Sequence, residues 1–393
     1  MPKPIKIAFD ASPMIINKTG VAYYIERIMY QLALAYPDDV ELVGFYYNFL
    51  GRRKGASEFP RLKNLRYHGV HVLPSKVVYQ LRRWGIEVPV EFLSGVHADF
   101  NFFPNILDYP SVFSTPSSAV VHDLTYVDLP QYVSAKLRGD LRRFVPRAIR
   151  RSTFTTTVSA FTQDRLEHVY HVPPSNVLIT PIPPAEPVLL SEKAAQVVLR
   201  KLSLTKPFIL FVGTVEPRKN LGNLVAAYRL LPAELRQKYS LVIAGRLGWY
   251  YEETVAAIEK ARADGLDVIH LGYVDDEARG ALYQSASLFA HASSYEGFGM
   301  PVLEAMSYGL PCAVSDIDVF REVAADSAVF FDQNQPADIA AKFATLLGNE
   351  SERTKLGKKG KAFADKMSWA KTAELLYERI VTAVEAHNQA QKP

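Results

Sequence analysis

The chain has 393 residues, 48% of them hydrophobic and 22% charged. That length exceeds one ordinary hydrophobic core and predicts two domains, and the composition excludes a wholly disordered chain. Residues 1–190 carry 21 Lys+Arg against 16 Asp+Glu and the remainder 24 against 25, which is far from a nucleic-acid-binding balance. A mildly basic first half suits an anionic acceptor or an acidic membrane surface. No run of about 18 apolar residues occurs, so no spanning helix is expected. The start of the chain runs straight into an apolar segment, so no secretory leader is expected either. The single cysteine, Cys312, rules out an intramolecular disulfide, reads as a small core hydrophobe and fits a reducing cytoplasm.

Short apolar runs alternate with amphipathic stretches, the pattern of open parallel α/β sheets. In chain order, residues 5–9, 41–46, 99–103, 118–121 and 153–158 read as strands, and 21–36 and 134–151 as helices. Ser159 stands between a strand and the helical stretch 161–170, where a serine caps helix N–H groups. Residues 180–187 hold four prolines in eight positions, which predicts an extended linker and a domain boundary there. A second alternation follows, with strands at 208–212, 240–244, 268–271, 288–290, 312–314 and 329–331. Helices are expected at 221–231, 252–263, 276–285, 301–308 and 337–347, and two more, 351–363 and 369–384, close the chain. The predicted division is 1–185 for a first Rossmann-like domain and 186–368 for a second. Two such halves would place a cleft where both sets of strand ends meet.

The motif with the most chemistry is Ser294-Tyr295-Glu296-Gly297-Phe298-Gly299-Met300-Pro301-Val302-Leu303-Glu304. Pro301 suits a first helical turn, and Gly297 and Gly299 let backbone approach a ligand closely. The N–H groups of Met300, Val302 and Leu303 would then face an anion, with Glu296 and Glu304 bracketing that corner. A second motif, Gly213-Thr214-Val215-Glu216-Pro217-Arg218-Lys219-Asn220, places two cations beyond a strand end. Arginine grips phosphate bidentately and lysine adds a compact charge. Each motif also has a plain reading, as a glycine turn with incidental acids and as a solvated basic turn.

The first string resembles the E-x7-E signature of glycosyltransferase family 4, whose members adopt the GT-B architecture of two facing Rossmann-like domains. The resemblance implies that Glu296 contacts donor-sugar hydroxyls and Glu304 the ribose, with Gly213, Gly297, Phe298, Gly299, Pro301 and Val302 lining the donor site. It implies that Arg218 and Lys219 bind the donor diphosphate. The chain departs from the commoner family form in carrying Thr214 directly after the glycine. Its Glu-Pro-Arg-Lys-Asn variant is similar to the subgroup that builds bacterial surface polysaccharides with mannose or a deoxysugar. In the first half, Gly20 falls between strand and helix, where such folds present amides to phosphate. The resemblance assigns His122 to the donor sugar; each is equally read as structural.

The implied activity is retaining, metal-independent transfer of a hexose from a nucleoside diphosphate sugar, GDP-mannose favoured, to a glycan or lipid-linked acceptor. No cofactor is expected. The resemblance implies that residues 1–185, rejoined by a crossing helix from Trp369 to the C-terminus, bind the acceptor and that residues 186–368 bind the nucleotide-sugar donor. Asp316-Ile317-Asp318 matches a metal motif of another transferase fold but reads here as a solvated loop. The basic stretch from Lys136 to Arg151, with Arg82, Arg83 and Trp84, reads as a solvent face or as peripheral contact with an anionic membrane. Two alternatives remain open: a sugar-nucleotide epimerase of the same architecture, and a non-catalytic nucleotide-sugar binder.

Overall fold

The computed structural model describes residues 3–16, 20–51, 59–71, 73–105 and 108–392. Chain contacts divide it into two units: Met1–Leu124 with Ala135–Ile182 and Ser368–Pro393, and Thr125–Ser134 with Pro183–Met367. Each is built on a parallel sheet.

The first unit contains β1 (Ile5–Asp10), β2 (Val40–Tyr47), β3 (Leu65–Val70), β4 (Phe100–Phe103), β5 (Ser117–Val121), β6 (Phe154–Thr157) and β7 (Val177–Ile179). Among the described residues they form one sheet in the order β3-β2-β1-β4-β5-β6-β7. β4 and β5 are buried throughout, as expected of strands covered by helices on both faces. The edge strands β3 and β7 are not apparent in the sequence pattern. β3 alternates buried ends with a more exposed Arg66–Gly69 middle, and β7 is three residues long. Ser159 caps the helix Ala160–Tyr170, its hydroxyl accepting from Thr162 N at 3.1 Å.

The second unit contains β8 (Phe208–Val212), β9 (Ser240–Ala244), β10 (Val268–Gly272), β11 (Leu288–His291), β12 (Cys312–Ser315) and β13 (Val329–Phe331). They form a sheet in the order β10-β9-β8-β11-β12-β13. In both sheets the strand order reverses beside the first strand, between β1 and β4 and between β8 and β11. Ligands of open α/β sheets bind beyond the strand ends at such reversal points.

Residues 180–190 have no regular structure, in keeping with their prolines. Their end docks on the second unit, where Val188 N donates to Tyr308 Oη at 2.8 Å and Leu190 N to Gln284 Oε1 at 3.0 Å. One segment is grouped differently from the sequence reading. Thr125–Ser134, placed in the first domain by chain order, clusters with the second unit. The indole of Trp249 donates to the Tyr132 carbonyl at 2.6 Å, a bond that chain order cannot reveal.

The terminal helix Trp369–Ala390 belongs to the first unit. It lies along the helix Gly20–Ala35, where Tyr377 stacks on Tyr36 at 3.7 Å. Thr372 Oγ1 donates to the Pro181 carbonyl at 3.0 Å and Arg379 to the Ser175 carbonyl at 2.9 Å. Leu376 and Ile380 supply its buried stripe. Leu376→Ala should destabilise the first unit by about 3 kcal/mol, read as an earlier first transition in urea. An unchanged first transition contradicts this packing.

Candidate functional site

The loops after β8 and β11 meet at the reversal point of the second sheet. After β8 the chain is pinned to the loop after β9: Val215 N donates to the Arg246 carbonyl at 2.8 Å and Gly248 N to the Val215 carbonyl at 2.9 Å. The two loops lie so close that a Cβ on Gly245 would run into the Gly213 carbonyl. A single 3-10 turn, Pro217–Lys219, then projects Arg218 and Lys219, and Asn220 closes it in the left-handed region with φ 54°, which asparagine tolerates.

From the other side, Ser293 and Glu296 follow β11. The helix Met300–Ser307 begins after Gly299, whose φ is +99° and whose added Cβ would meet Phe320 at 2.5 Å. Glycine is therefore required there on two counts. Ser294 N donates to the Arg218 carbonyl at 2.8 Å, which joins the two loops through backbone.

The side chains complete the junction. Glu296, only 6% exposed, accepts from Arg218 Nη1 at 2.5 Å through Oε2. Its Oε1 accepts from Ser293 Oγ at 2.7 Å and from the Lys219 ammonium. Arg218 also donates through Nη1 to the Tyr295 carbonyl at 3.0 Å and pairs through Nε with Glu216 at 2.6 Å. Two acids and two bases make this buried cluster neutral, which is what burial demands. Burial pushes the Glu296 carboxyl upward, but Arg218 and Lys219 outweigh it and hold it well below the usual range. Burial, with Arg218 alongside, lowers Lys219 despite its acidic partners.

His291, at the end of β11, is wholly buried and stacks on Phe211 at 5.0 Å. Burial lowers its pKa to about 4. The ring is thus neutral at pH 7, and with Glu296 ionised, Nε2 is the donor to Oε1 at 3.3 Å. His291, Ser293 and Glu216 were not among the residues singled out from the sequence. Their signal is faint, because an apolar strand ending in histidine is ordinary.

The resemblance gave Glu296 to the donor sugar and Arg218 and Lys219 to the diphosphate; in the structure the three groups touch directly within one unit. Gly297, Phe298 and Gly299 are buried rather than lining an open corner. Val302 N is already used, donating to the Gly299 carbonyl at 3.0 Å. Glu304 is engaged elsewhere. Its Oε2 accepts from Tyr283 Oη at 2.9 Å beside a cavity of about 20 Å³, and burial raises its pKa despite Arg279 nearby.

Of the remaining candidates, Gly213 forms the exit of β8, its N–H donating to the Ala244 carbonyl at 2.9 Å. Pro301 occupies the first helical turn. Gly20 is exposed at a helix start, but residues 17–19 of its motif lie outside the described residues. His122 directly follows β5 in the first unit. Nε2 donates to the Pro104 carbonyl at 2.9 Å, and burial lowers its pKa, which makes Nδ1 an acceptor. Asp316 forms a two-pronged pair with Arg321 at 2.6 and 2.7 Å. Arg82, expected on a basic face, is instead buried and paired with Asp108.

Comparison with known proteins identifies the chemistry. The family model for glycosyl transferases group 1 matches residues 198–363, a span that holds the Glu216–Arg218–Lys219–Glu296 cluster. O-antigen chain mannosyltransferase B of Escherichia coli is 26% identical over 379 residues, 93% of this chain and 96% of that protein. Over residues 198–363 the chain is similar to the glycosyl transferases of group 1.

The chain is also 34% identical over 192 residues to the serotype-specific mannosyltransferase WbdA of Escherichia coli. That match covers 48% of this chain and only 23% of that much longer protein. Two solved structures share the fold. WaaG, a glycosyltransferase involved in lipopolysaccharide biosynthesis, superposes with TM-score 0.69 at 17% identity, covering 95% of this chain and 99% of that one. Sucrose-phosphate synthase from Thermosynechococcus elongatus gives 0.73 at 16% identity, covering 96% and 100%. The two Rossmann-like units and terminal helix are those of GT-B transferases.

The cluster makes the second unit acid-sensitive in a defined window. His291 has its folded pKa, about 4, below the usual 6.5, so the unfolded chain binds its proton first as pH falls. The stability it contributes is complete above about pH 6.5 and lost progressively down to about 4. Glu296, with a depressed pKa, loses its contribution only at still lower pH. From pH 7 to 4 the second unit should therefore lose roughly 3 kcal/mol more in the wild type than in His291→Gln. Parallel pH–stability curves for the two proteins contradict this.

Proposed function

We propose that the protein transfers a hexosyl group, mannose favoured, from a nucleoside diphosphate donor to a hydroxyl of a glycan or lipid-linked acceptor. Transfer proceeds with retention of configuration and without a catalytic metal, and GDP-mannose is the favoured donor. The observation that carries the reading is the buried Arg218–Lys219–Glu296 cluster beyond β8 and β11. Similarity to an O-antigen mannosyltransferase along nearly the whole chain supports mannose and a polysaccharide acceptor.

Breaking the bond between the anomeric carbon and phosphate oxygen sends negative charge onto the departing diphosphate. Preorganised cations in a water-poor site stabilise such charge without reorganising. Arg218 and Lys219 are preorganised in this sense, fixed by Glu216, Glu296 and the Tyr295 carbonyl. A diphosphate that takes a share of both cations leaves the Glu296 carboxylate more available to accept from sugar hydroxyls. The acceptor hydroxyl attacks the anomeric carbon from the face the diphosphate leaves, and a diphosphate oxygen takes its proton. His122, carried into the proposal by family resemblance, offers Nδ1 as an acceptor to a sugar hydroxyl. Glu304 is assigned to the ribose on the same ground, and must exchange Tyr283 for it.

Arg218→Ala and Lys219→Ala should each lower kcat with GDP-mannose by about 100-fold or more. Near-normal turnover at saturating donor overturns the assignment. Chelation with EDTA should leave the wild-type rate unchanged; a loss restored by Mg2+ or Mn2+ overturns the metal-independent mechanism. An epimerase would interconvert donor sugars without releasing GDP, so GDP release on transfer separates the two activities.

The helix Ala135–Arg151 exposes Lys136, Arg142, Arg143 and Arg150, and Trp84 in the same unit is 69% exposed. These groups support peripheral contact with an anionic membrane from the cytoplasmic side. The protein should float with phosphatidylglycerol vesicles at low salt and detach as ionic strength rises. Failure to float at low salt overturns the membrane reading.

A further inference from the structure

One aromatic side chain of the first unit is tied both to His122 and to the start of the linker. In the helix Gly20–Ala35, Ala22, Ile25, Ile28, Met29 and Leu32 bury an apolar stripe, as an amphipathic helix packed on a sheet must. Tyr24 belongs to the same buried set and has no solvent exposure at all. A phenol taken wholly out of water needs a hydrogen-bond partner. Its partner is remote in sequence: Thr180 Oγ1, 156 positions away, at 2.8 Å.

That bond is one link in a chain. Thr180 Oγ1 spends its own proton on the Thr157 carbonyl at 3.1 Å, so Tyr24 is the donor to Thr180. Thr157 Oγ1 in turn donates to the Val121 carbonyl at 2.8 Å. This carbonyl belongs to the peptide group that leads into His122. Tyr24, Thr157 and Thr180 are all wholly buried, where each such bond is costly to lose. The Tyr24 ring also meets the His122 ring directly, edge to face, with centroids 5.3 Å apart and planes at 89°, a geometry aromatic rings favour. Trp369, the first residue of the terminal helix, lies 6.4 Å from the same tyrosine ring.

Tyr24 thus reaches His122 twice, ring against ring and through two threonines to its backbone. The bond from His122 Nε2 to the Pro104 carbonyl fixes one point of the imidazole. The Tyr24 ring fixes its plane. We infer that Tyr24 is a positioning residue, which holds the plane of His122 and so aims Nδ1 at the donor sugar. This inference rests on the glycosyl-transfer reading, in which His122 meets that sugar, and adds what holds the histidine in place. Hydrogen bonds weaken steeply with angle, so a rocked imidazole loses the sugar hydroxyl. The diphosphate contacts assigned to Arg218 and Lys219 do not involve it.

The test measures by calorimetry the affinity of the full chain for GDP and for GDP-mannose in the wild type, Tyr24→Leu, His122→Ala and the double variant. Tyr24→Leu should weaken GDP-mannose by about fivefold, the consequence of one lost hydrogen bond, and leave GDP affinity unchanged. In the His122→Ala background the same change should cost nothing further, because a residue that acts through His122 has nothing left to position. A plain packing role would weaken both ligands together or add its full effect to that of His122→Ala. Either result overturns the inference, and so does an unchanged GDP-mannose affinity in Tyr24→Leu. If Tyr24→Leu does not fold by circular dichroism, Tyr24→Phe removes only the hydroxyl anchor. It should weaken GDP-mannose by about threefold, with no effect on GDP and none in the His122→Ala background, and additivity there overturns the inference equally. Failure of the transferase reading looks different: His122→Ala binds GDP-mannose as the wild type does, or the wild type binds neither ligand, and the inference falls with it.

Discussion

The second unit is organised around a carboxylate shut away from water. Glu296 has almost no solvent access, and its charge persists only because Arg218 and Lys219 reach it from a distant loop. Removing one partner of such a buried pair leaves an uncompensated charge, at about 3–5 kcal/mol. The same contacts therefore fix two loops and hold two cations at the strand ends. The site's rigidity and its electrostatics have a single origin. His291 and Ser293 strengthen the arrangement by supplying neutral donors to the same oxygen.

The two sheets repeat one topological device for different chemistry. Each is parallel, each reverses its strand order beside its first strand, and each carries buried charge beyond that point. In the second unit the charge is a neutral cluster of two glutamates, an arginine and a lysine. In the first it is an Asp10 carboxylate and an Arg82–Asp108 pair around a cavity. A fold does not fix a function, and the side chains at equivalent places in the two units differ.

The sequence made much of the fold legible because many central parallel strands are short, mainly apolar runs, such as Phe208–Val212, and their helices are amphipathic. It was silent where burial is partial. The edge strand Leu65–Val70 carries Arg66 and His68 toward its exposed middle, so it has no apolar run to read. The linker was visible through its prolines, whereas the grouping of Thr125–Ser134 depends on Trp249, more than a hundred positions away. Within the site, motif spacing picked out Glu296, Arg218 and Lys219. It could not show that they bond one another, because that contact is set by the β8–β11 pairing. For the same reason Arg82 read as a surface cation: nothing local signals that Asp108 neutralises it in the core.

A crystal structure of the full chain with GDP bound tests the central claim most directly. The account predicts the diphosphate within hydrogen-bonding distance of Arg218 and Lys219, beyond β8, with one of their contacts to Glu296 lengthened. A diphosphate seated beyond β1 and β4, with the Glu296 cluster undisturbed and remote from it, would contradict the account.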